Sequence, residues 1–321
     1  MDLIYTDSQR IDVGVLSAYK FDLSFGASEN DFSVTVESSE TALEFGSLLY
    51  LEGTEYGGIV DAVKAKSNSD EVTYTGRTWH GVLNSKVIQP DPGKDYYVVS
   101  GDANDILSDL ISRLGLTNLF QADKANSGVV VKNYQFHRYC KGYDGIQAML
   151  NEYGAKLLIE WKNKTATLTV KPISDYSEVP MDEELATLTV EQHNAKVNHL
   201  ICLGQGDLAE RQVVHLYANQ NGDIVDTQYY TGIKEVADTY DYSSVESLDE
   251  LKKGGIERLK ELRNTDKADI ALQETDEMTF DIGDIVCAYD VHTGISVAAA
   301  VTQKIVKITN DVVCTEYKTG G

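Results

Sequence analysis

The sequence predicts a mixed, mainly β protein in which an α+β insertion separates two β-rich parts. Three observations predict this order: apolar and polar residues alternate in the first part, helical spacing replaces that alternation in the middle, and strand patterns return around one helix in the last part. We therefore divide the 321 residues into a barrel-like β-domain (1–99), an α+β insertion domain (100–176) and a second barrel-like domain with one long helix (177–321).

Residues 20–37 (KFDLSFGASENDFSVTVE) give the clearest strand signal. Two alternating runs flank a turn rich in Gly, Ser and Asn, and each run places its apolar residues on one face, namely Phe21, Leu23 and Phe25, then Phe32, Val34 and Val36. A period of two indicates half-buried antiparallel strands. Further strands are predicted over 48–51 and 58–60, which flank a turn at 53–57, and over 71–76 and 79–88, before Pro90, Pro92 and Gly93 break the pattern.

The middle part begins with a helix over 102–114 (DANDILSDLISRL), whose apolar residues recur at helical spacing. Ser100 or Asp102 can cap its N-terminus, and Gly115 can end it. The remaining elements are a helix over 142–153 that Gly154 ends, and a hairpin with strands over 156–161 and 165–170 joined by residues 162–164. The insertion is thus predicted as helix, helix and hairpin.

The last part returns to strands, predicted over 198–204, 211–218, 224–230, 268–272, 284–289, 295–308 and 311–317. Asn221-Gly222 is a strong hairpin signal because both residues tolerate positive φ. One helix is predicted over 247–263, with apolar residues at Leu248, Leu251, Ile256, Leu259 and Leu262.

The charge balance is strongly acidic, with 51 Asp and Glu against 28 Lys and Arg and a formal charge of −23. Such a surface repels nucleic-acid phosphates and anionic lipids. Two interpretations of the acidic surface stay open: it serves solubility alone, or it lines a passage to which DNA must not adhere. Composition does not separate the two. The N-terminus lacks a secretion-type pattern and no run approaches the roughly 18–20 apolar residues of a membrane span, which predicts that the protein is made and assembled in a cytoplasm.

Metal-binding patterns are absent. The four cysteines form no CxxC or Cys/His pattern and are predicted to be reduced. Among the six histidines, the closest pair, His193 and His199, has no metal-ligand spacing. His199 and His215 lie in predicted strands and are interpreted as hydrogen-bonded structural residues. The histidines are His80, His137, His193, His199, His215 and His292.

Catalytic motifs are also absent, and we assign no catalytic, cofactor-binding or metal residue. Gly204-Gln205-Gly206 leads into a strand and not a helix, so it is no dinucleotide fingerprint. Residues 219–223 (NQNGD) lack the distal Glu of a calcium loop and fit a hairpin tip. The sequence therefore predicts a protein that is not an enzyme, although two carboxylates at a suitable separation, as in glycosidases, would leave no motif.

Several short segments occur in an order that resembles a known family. They are 76–83 (GRTWHGVL), 143–150 (YDGIQAML), 153–157 (YGAKL), 171–177 (KPISDYS), 198–206 (NHLICLGQG), 240–243 (YDYS) and 281–286 (DIGDIV). Together they resemble the tail hub proteins of long-tailed phages and prophages, the Siphovirus ReqiPepy6 Gp37-like (XkdQ-like) family of baseplate hub proteins. The resemblance covers nearly the whole chain and brings no catalytic signature.

The resemblance implies a homotrimer with two tube-like β-barrel domains per subunit, giving a pseudo-six-fold ring from three chains. Such a ring joins the six-fold tail tube to a three-fold tip or spike, with the α+β segment on its outer or lower side. Implied partners are further copies of the chain, the tail tube, distal tail or baseplate proteins, and a spike or tape-measure protein. DNA is implied only as passing cargo, and no membrane insertion or cofactor is implied.

Two other functions stay open at this point. A peptidoglycan-degrading component of a tail tip would clear peptidoglycan in a zymogram, and a glycan-binding receptor module would bind glycans saturably through an aromatic patch. A tape-measure gene nearby would favour the hub. The sequence separates neither a contractile from a flexible tail nor a phage from a tail-like bacteriocin.

Overall fold

The computed structural model describes most of the chain. The described residues are 2–37, 43–178, 186–191, 193–245, 247–265, 267–272, 279–289, 294, 296–309 and 312–320.

Strands dominate the described part. In the first part of the chain they are β1 (Leu3–Thr6), β2 (Asp12–Leu16), β3 (Tyr19–Gly26), β4 (Asp31–Glu37), β5 (Leu48–Tyr50), β6 (Gly57–Ala65), β7 (Glu71–Thr78), β8 (Val87–Ile88) and β9 (Val98–Asp102). Next come β10 (Phe120–Ala122), β11 (Val130–Gln135), β12 (Cys140–Lys141), β13 (Ala155–Lys162), β14 (Thr165–Pro172) and β15 (Asp175–Tyr176). The last are β16 (Ala186–Glu191), β17 (His199–Leu203), β18 (Val213–Ala218), β19 (Ile224–Val225), β20 (Ala237–Asp241), β21 (Lys267–Leu272), β22 (Ile285–Tyr289), β23 (Ser296–Thr309) and β24 (Val312–Gly320).

Helices are few. The α-helices are α1 (Trp79–Asn84), α2 (Ala103–Arg113), α3 (Gly142–Glu152) and α4 (Leu248–Arg263), and two short 3-10 helices cover Leu208–Glu210 and Gly232–Lys234. The predicted N-cap of α2 is confirmed at Asp102, whose side chain accepts the N–H of Asn104. The glycines predicted to end α2 and α3, Gly115 and Gly154, both have positive φ.

One 13-stranded sheet combines strands from both ends of the chain. Its main path runs β16-β21-β24-β23-β3-β4-β7-β6-β5-β1-β2, with β22 attached to β23 and β15 attached to β22. The long strand β23 pairs with β22 through its first residues and with β3 through its last seven. The N-terminal and C-terminal parts are therefore continuous through main-chain hydrogen bonds.

The predicted alternation in β3 and β4 is confirmed. Both strands pair as a hairpin, and their six predicted core side chains are each 3 % exposed or less. They pack with Val306 and Ile308 of β23 in one hydrophobic core. The N-terminal strands thus share their core, and not only their hydrogen bonds, with the end of the chain.

The α+β unit packs α2 and α3 against the hairpin of β13 and β14, with β10 added in parallel beside β14. Sequence reasoning predicted the two helices and this hairpin, and the structure confirms all three. It did not predict the antiparallel pair of β9 and β11 or the short pair of β8 and β12. The core of this unit also includes Trp79 from the N-terminal part, which stacks on Trp161 at 4.7 Å.

A separate small unit lies in the last part of the chain. Strands β19, β18, β17 and β20 form a four-stranded sheet, and α4 packs on it around Leu200, Cys202, Leu216, Leu251 and Leu259. The predicted pairing of β17 with β18 and the predicted helix are confirmed. The parallel pairing of β20 with β17 was not predicted.

Two predicted strands are wrong in whole or in part. Residues 79–84 form α1, whose first turn is capped by Thr78, which accepts the N–H of Gly81. Five of its six residues are buried, so no polar face reveals the helical period. The strand predicted over 224–230 is limited to Ile224–Val225. The first residues of two other predicted strands, Ile295 and Asp311, lie outside the described residues.

The strand pairings of the described residues do not show the two predicted barrels. Across the described ranges, the main sheet is an open path with β2 at one end and β16 at the other. The structure shows a mainly β protein, and closed barrels remain a prediction.

Candidate functional site

Buried polar contacts connect the parts of the chain, and they are the best-defined chemical features of the molecule. The first lies where β3 meets β23. Gln303, 3 % exposed, donates through Nε2 to Ser24 Oγ at 2.7 Å and to the Glu29 carbonyl at 3.0 Å. Its Oε1 accepts from both the N–H and the hydroxyl of Ser28 at 2.9 Å. A buried amide with satisfied donors and acceptors specifies one register for this pairing.

A buried lysine connects the α+β unit to the C-terminal strands. Lys156 of β13 places Nζ 2.7 Å from Asp284 Oδ1 and 2.8 Å from Asp281 Oδ2. Asp284 is 1 % exposed and also accepts the N–H groups of Ser174 and Asp281. Burial alone would lower the pKa of Lys156, but the hydrogen bonds and charges of the two carboxylates outweigh it and raise the pKa.

A second buried lysine connects β23 to the turn between β5 and β6. Lys304, 6 % exposed, bonds Glu55 Oε1 at 2.6 Å. Its ammonium also lies 5.5 Å from the ring centroid of Tyr56 and 5.7 Å from that of Tyr317. Burial acts to lower the pKa of Lys304, and Glu55 and the two tyrosines more than reverse this, so the pKa is raised.

His80, which sequence analysis did not single out from the other histidines, is buried at the contact between α1, β3 and α3. It is 2 % exposed, its ring stacks on Phe25 with centroids 4.5 Å apart, and Tyr143 meets it edge-on at 5.1 Å. Burial, with a smaller effect of the Lys304 charge, lowers the pKa of His80 to about 3. The ring is therefore neutral in the folded protein at pH 7.

We expect this histidine to make the fold sensitive to acid. The folded-state pKa is below the unfolded one, so the stabilisation is complete above about pH 6.5 and is lost as pH falls toward the folded value of about 3. Between pH 7 and pH 5 the wild type should lose about 2 kcal/mol more stability than His80→Leu. Urea unfolding at both pH values measures this.

The control is His137→Leu, because His137 is exposed. That variant should follow the wild type at both pH values. Equal losses in the wild type and in His80→Leu would contradict the assignment of the acid sensitivity to His80.

The structure brings together two histidines that sequence spacing kept apart. His199 lies opposite Tyr217, and His215 lies opposite Ile201, so the two imidazoles are diagonal neighbours on one face of the hairpin. His199 Nε2 is 2.8 Å from His215 Nδ1, and His199 Nδ1 is 2.5 Å from Glu235 Oε1. The sequence did predict that these two strands pair. That prediction would have indicated the contact between the two histidines if the register of the pair had also been known.

The hydrogen-bonded row of Glu235, His199 and His215 connects the β17–β18 hairpin to the loop before β20. A hydrogen bond between two imidazole nitrogens needs one donor and one acceptor, so at least one ring is neutral while the row is intact. The contacts agree with the predicted structural role of His199 and His215.

The remaining sequence candidates lie apart from these contacts. His193 is 2.9 Å from Glu191, and His292 lies outside the described residues. Asn219 Oδ1 accepts the N–H groups of Asn221 and Asp223, which is the geometry of a hairpin tip. Within the described ranges, no group of three or more His, Cys, Asp or Glu side chains is placed to hold a metal ion.

The four α-helices of the described part also include none with the length and apolar character that a membrane-spanning helix requires.

The fold is shared with solved tail proteins. A tail protein from Neisseria meningitidis MC58 matches with a TM-score of 0.55 and 14 % identity, over 100 % of this chain and 96 % of that chain. The 43 kDa tail protein of prophage MuSo2 from Shewanella oneidensis matches with a TM-score of 0.58 and 8 % identity, over 99 % and 97 %. A chain of the phage P2 baseplate in its activated conformation with Ca matches with a TM-score of 0.53 and 11 % identity, over 100 % and 99 %.

No family model matches the sequence, and no curated protein matches it. Membership of the Gp37-like family therefore remains a prediction, while the fold of the whole chain is that of phage tail and baseplate proteins.

Proposed function

We propose that this chain is a structural hub protein at the tip or baseplate of a phage, prophage or phage-tail-like particle. Three copies form a ring that joins the six-fold tail tube to a three-fold tip or spike. The observation that carries the proposal is the end-to-end similarity of fold to tail and baseplate proteins. The match covers at least 99 % of this chain and at least 96 % of each of the three chains described above.

The internal contacts suit such a role. An adaptor between two symmetries must hold its parts in fixed relative positions while it binds different partners on its two sides. Lys156, Lys304 and Gln303 each connect parts of the chain that are far apart in sequence, and each is buried and hydrogen-bonded to a partner in another part. Buried, fully paired polar groups favour one arrangement over its alternatives.

The three-part division belongs to this proposal. Residues 1–99 and 177–321 each supply one barrel-like unit, so three chains present six such units to the tube, and residues 100–176 lie outside or below the ring. If the ring surrounds a passage for DNA, we expect the acidic residues of this chain, which has a formal charge of −23, to cluster on the inner wall, where they would resist adhesion of passing DNA. A neutral or basic inner wall would contradict this expectation and leave the hub assignment intact.

The oligomeric state of the purified chain tests the proposal. We expect sedimentation as a trimer, and co-purification with the tail-tube protein of the same particle. A chain that stays monomeric at every concentration and binds no tube protein would contradict the hub assignment. Clearing of peptidoglycan in a zymogram, lost on mutation of one acidic pair, would establish the enzyme alternative instead.

A further inference from the structure

A basic cavity lies at the end of the small unit where the chain enters β17 and leaves α4. It measures about 610 Å³, and its lining includes His193, Lys196, Lys234 and Arg263. Among the described residues that line it there is no Asp or Glu. Three other cavities of the described part each include at least one carboxylate. In a chain with 51 acidic against 28 basic residues, the basic cavity is a local reversal of the overall charge.

Two of the four basic side chains carry charge that is not paired. Within the described ranges, the ammonium of Lys234 forms no hydrogen bond or ion pair. The guanidinium of Arg263 forms one hydrogen bond there, from Nη1 to the Val197 carbonyl at 3.0 Å, and no ion pair. His193 and Lys196 have partners of their own, so we assign the site to Lys234 and Arg263.

The carboxylates around the basic cavity are engaged with other groups. Glu235, Asp223 and Glu261 are close in sequence to lining residues, but none of the three lines the cavity. Their hydrogen-bond partners are His199, Asn219 and Arg258 in turn. These three carboxylates therefore leave the charges of Lys234 and Arg263 for a ligand.

A buried amide fixes the loop that carries Lys234. Asn198, 7 % exposed, donates through Nδ2 to the Lys234 carbonyl at 2.8 Å and accepts the N–H of Val236 through Oδ1 at 3.0 Å. Its own N–H donates to the Val236 carbonyl at 2.9 Å. Arg263 is held beside the same residue by its bond to Val197. The positions of both cations are thus largely set before a ligand binds, which lowers the entropic cost of binding.

The lining favours an acidic peptide over other anions. Guanidinium and ammonium groups recognise carboxylates through charge-assisted hydrogen bonds. Ile233, Val236 and Tyr230 also line the cavity, and Ile233 is fully exposed. Apolar surface of this kind stabilises the side chains of a bound peptide and offers nothing to a phosphate ion. The formal charge of −23 opposes a long polyanion such as DNA.

We propose that the basic cavity binds a short acidic segment of a partner protein. Carboxylates of that segment pair with Lys234 and Arg263, and an apolar side chain packs against Ile233. The cavity gives an acidic partner a place of contact on a chain whose overall charge repels it. The site belongs to a single copy of the chain, so it goes beyond the proposed hub function and does not depend on the ring.

Fluorescence anisotropy of a labelled peptide with the full chain tests the site. The probe is fluorescein-labelled Glu-Glu-Leu-Glu-Glu, and we expect saturable binding that weakens as salt is raised. Lys234→Gln and Arg263→Gln should each weaken this binding about tenfold, because each removes a charge-assisted hydrogen bond. The neutral peptide Gln-Gln-Leu-Gln-Gln should not bind. Absence of binding at about 1 mM acidic peptide would overturn the proposal.

Lys253→Gln is the matched control, because Lys253 is an exposed lysine of α4 that does not line the cavity. It removes the same charge and should leave peptide binding unchanged. Since the Lys234 ammonium has no bond within the described residues, Lys234→Gln should unfold at the same urea concentration as the wild type. Equal weakening by Lys234→Gln and Lys253→Gln would show non-specific attraction and would overturn the site.

Unlabelled competitors distinguish the classes of anion. The acidic peptide should displace the probe at a lower concentration than inorganic phosphate or a short DNA duplex does. Displacement by phosphate or by DNA at the lower concentration would overturn the assignment to an acidic peptide.

Sedimentation of the same samples separates the basic cavity from the hub function. A trimer that binds no acidic peptide would overturn the cavity assignment and leave the hub function standing. A chain that stays monomeric, binds no tube protein and still binds the peptide through Lys234 would overturn the hub function and support the cavity.

Discussion

Replacement of Lys156 with methionine is expected to lower the free energy of unfolding by about 3–5 kcal/mol. Methionine fills nearly the same volume, so the loss comes from charge. Asp284 would keep its carboxylate in a site that is 1 % exposed, without the ammonium that lies 2.7 Å away in the wild type. A buried charge that loses its counter-ion costs far more than a surface ion pair does.

Two further variants identify the origin of this loss. Lys20→Met removes an ion pair of 3.4 Å whose partners are 61 % and 57 % exposed, and it should cost less than about 1 kcal/mol. The double variant Lys156→Met with Asp284→Asn should recover part of the loss, because the neutral amide no longer needs a cation. Urea unfolding measures all four proteins. Equal losses in Lys156→Met and Lys20→Met would contradict the assignment.

The pH dependence gives an independent check. The folded-state pKa of Lys156 is raised, so its stabilisation is fully present below the unfolded value near 10.4 and is lost as pH rises through the folded value. The difference between wild type and Lys156→Met should therefore stay constant from about pH 7 to pH 10. A difference that shrinks within this range would mean that the lysine is not held by its carboxylates.

Local patterns predicted most of the individual elements. Alternation over 20–37 identified β3 and β4 with the correct buried face, and helical spacing with Asp102 and Gly115 identified α2 with its cap and end. These signals are local, because each depends on side chains within one element or on a turn next to it. The failure at α1 has the same origin, since a short helix that is buried all round shows no period.

Contacts between distant segments were beyond such reasoning. Nothing in the sequence near Lys156 indicates that Asp284, 128 positions later, neutralises it, and nothing near β3 indicates that β23 is its neighbour. The His199–His215 contact depends on the register of a hairpin, which alternation alone leaves open by steps of two. The contacts of Lys156, Lys304 and Gln303, which support the proposed function, were therefore identified only from the structure.

Replacement of Gly26 with alanine is the second change for which we expect a large loss of stability. Gly26 ends β3, opposite Gln303 of β23, with a φ of +137°. An added Cβ would lie 2.2 Å from the carbonyl oxygen of Thr302 and 2.8 Å from the Cα of Gln303. Both are backbone atoms of a paired strand, so relief requires β3 and β23 to separate at this point.

Gly101 provides the matched control. Its φ is +135°, and a Cβ built there has nothing within 4 Å. Gly101→Ala therefore measures the backbone strain alone, about 1–3 kcal/mol. Gly26→Ala should lose the same amount of unfolding free energy through backbone strain. The clash should add a loss of at least roughly 1–3 kcal/mol.

The comparison between the two alanines tests the junction of the chain ends directly. The two glycines have the same φ to within a few degrees, so the difference between the two losses isolates the close approach of β23 to β3. Urea unfolding of both variants beside the wild type gives that difference. Equal losses would mean that β23 does not pack against Gly26 as described, and the continuity of the sheet from the N-terminal strands to the C-terminal ones would have to be abandoned. A larger loss at Gly26 supports one sheet that continues from the N-terminal strands through the β3–β23 pair to the C-terminal ones.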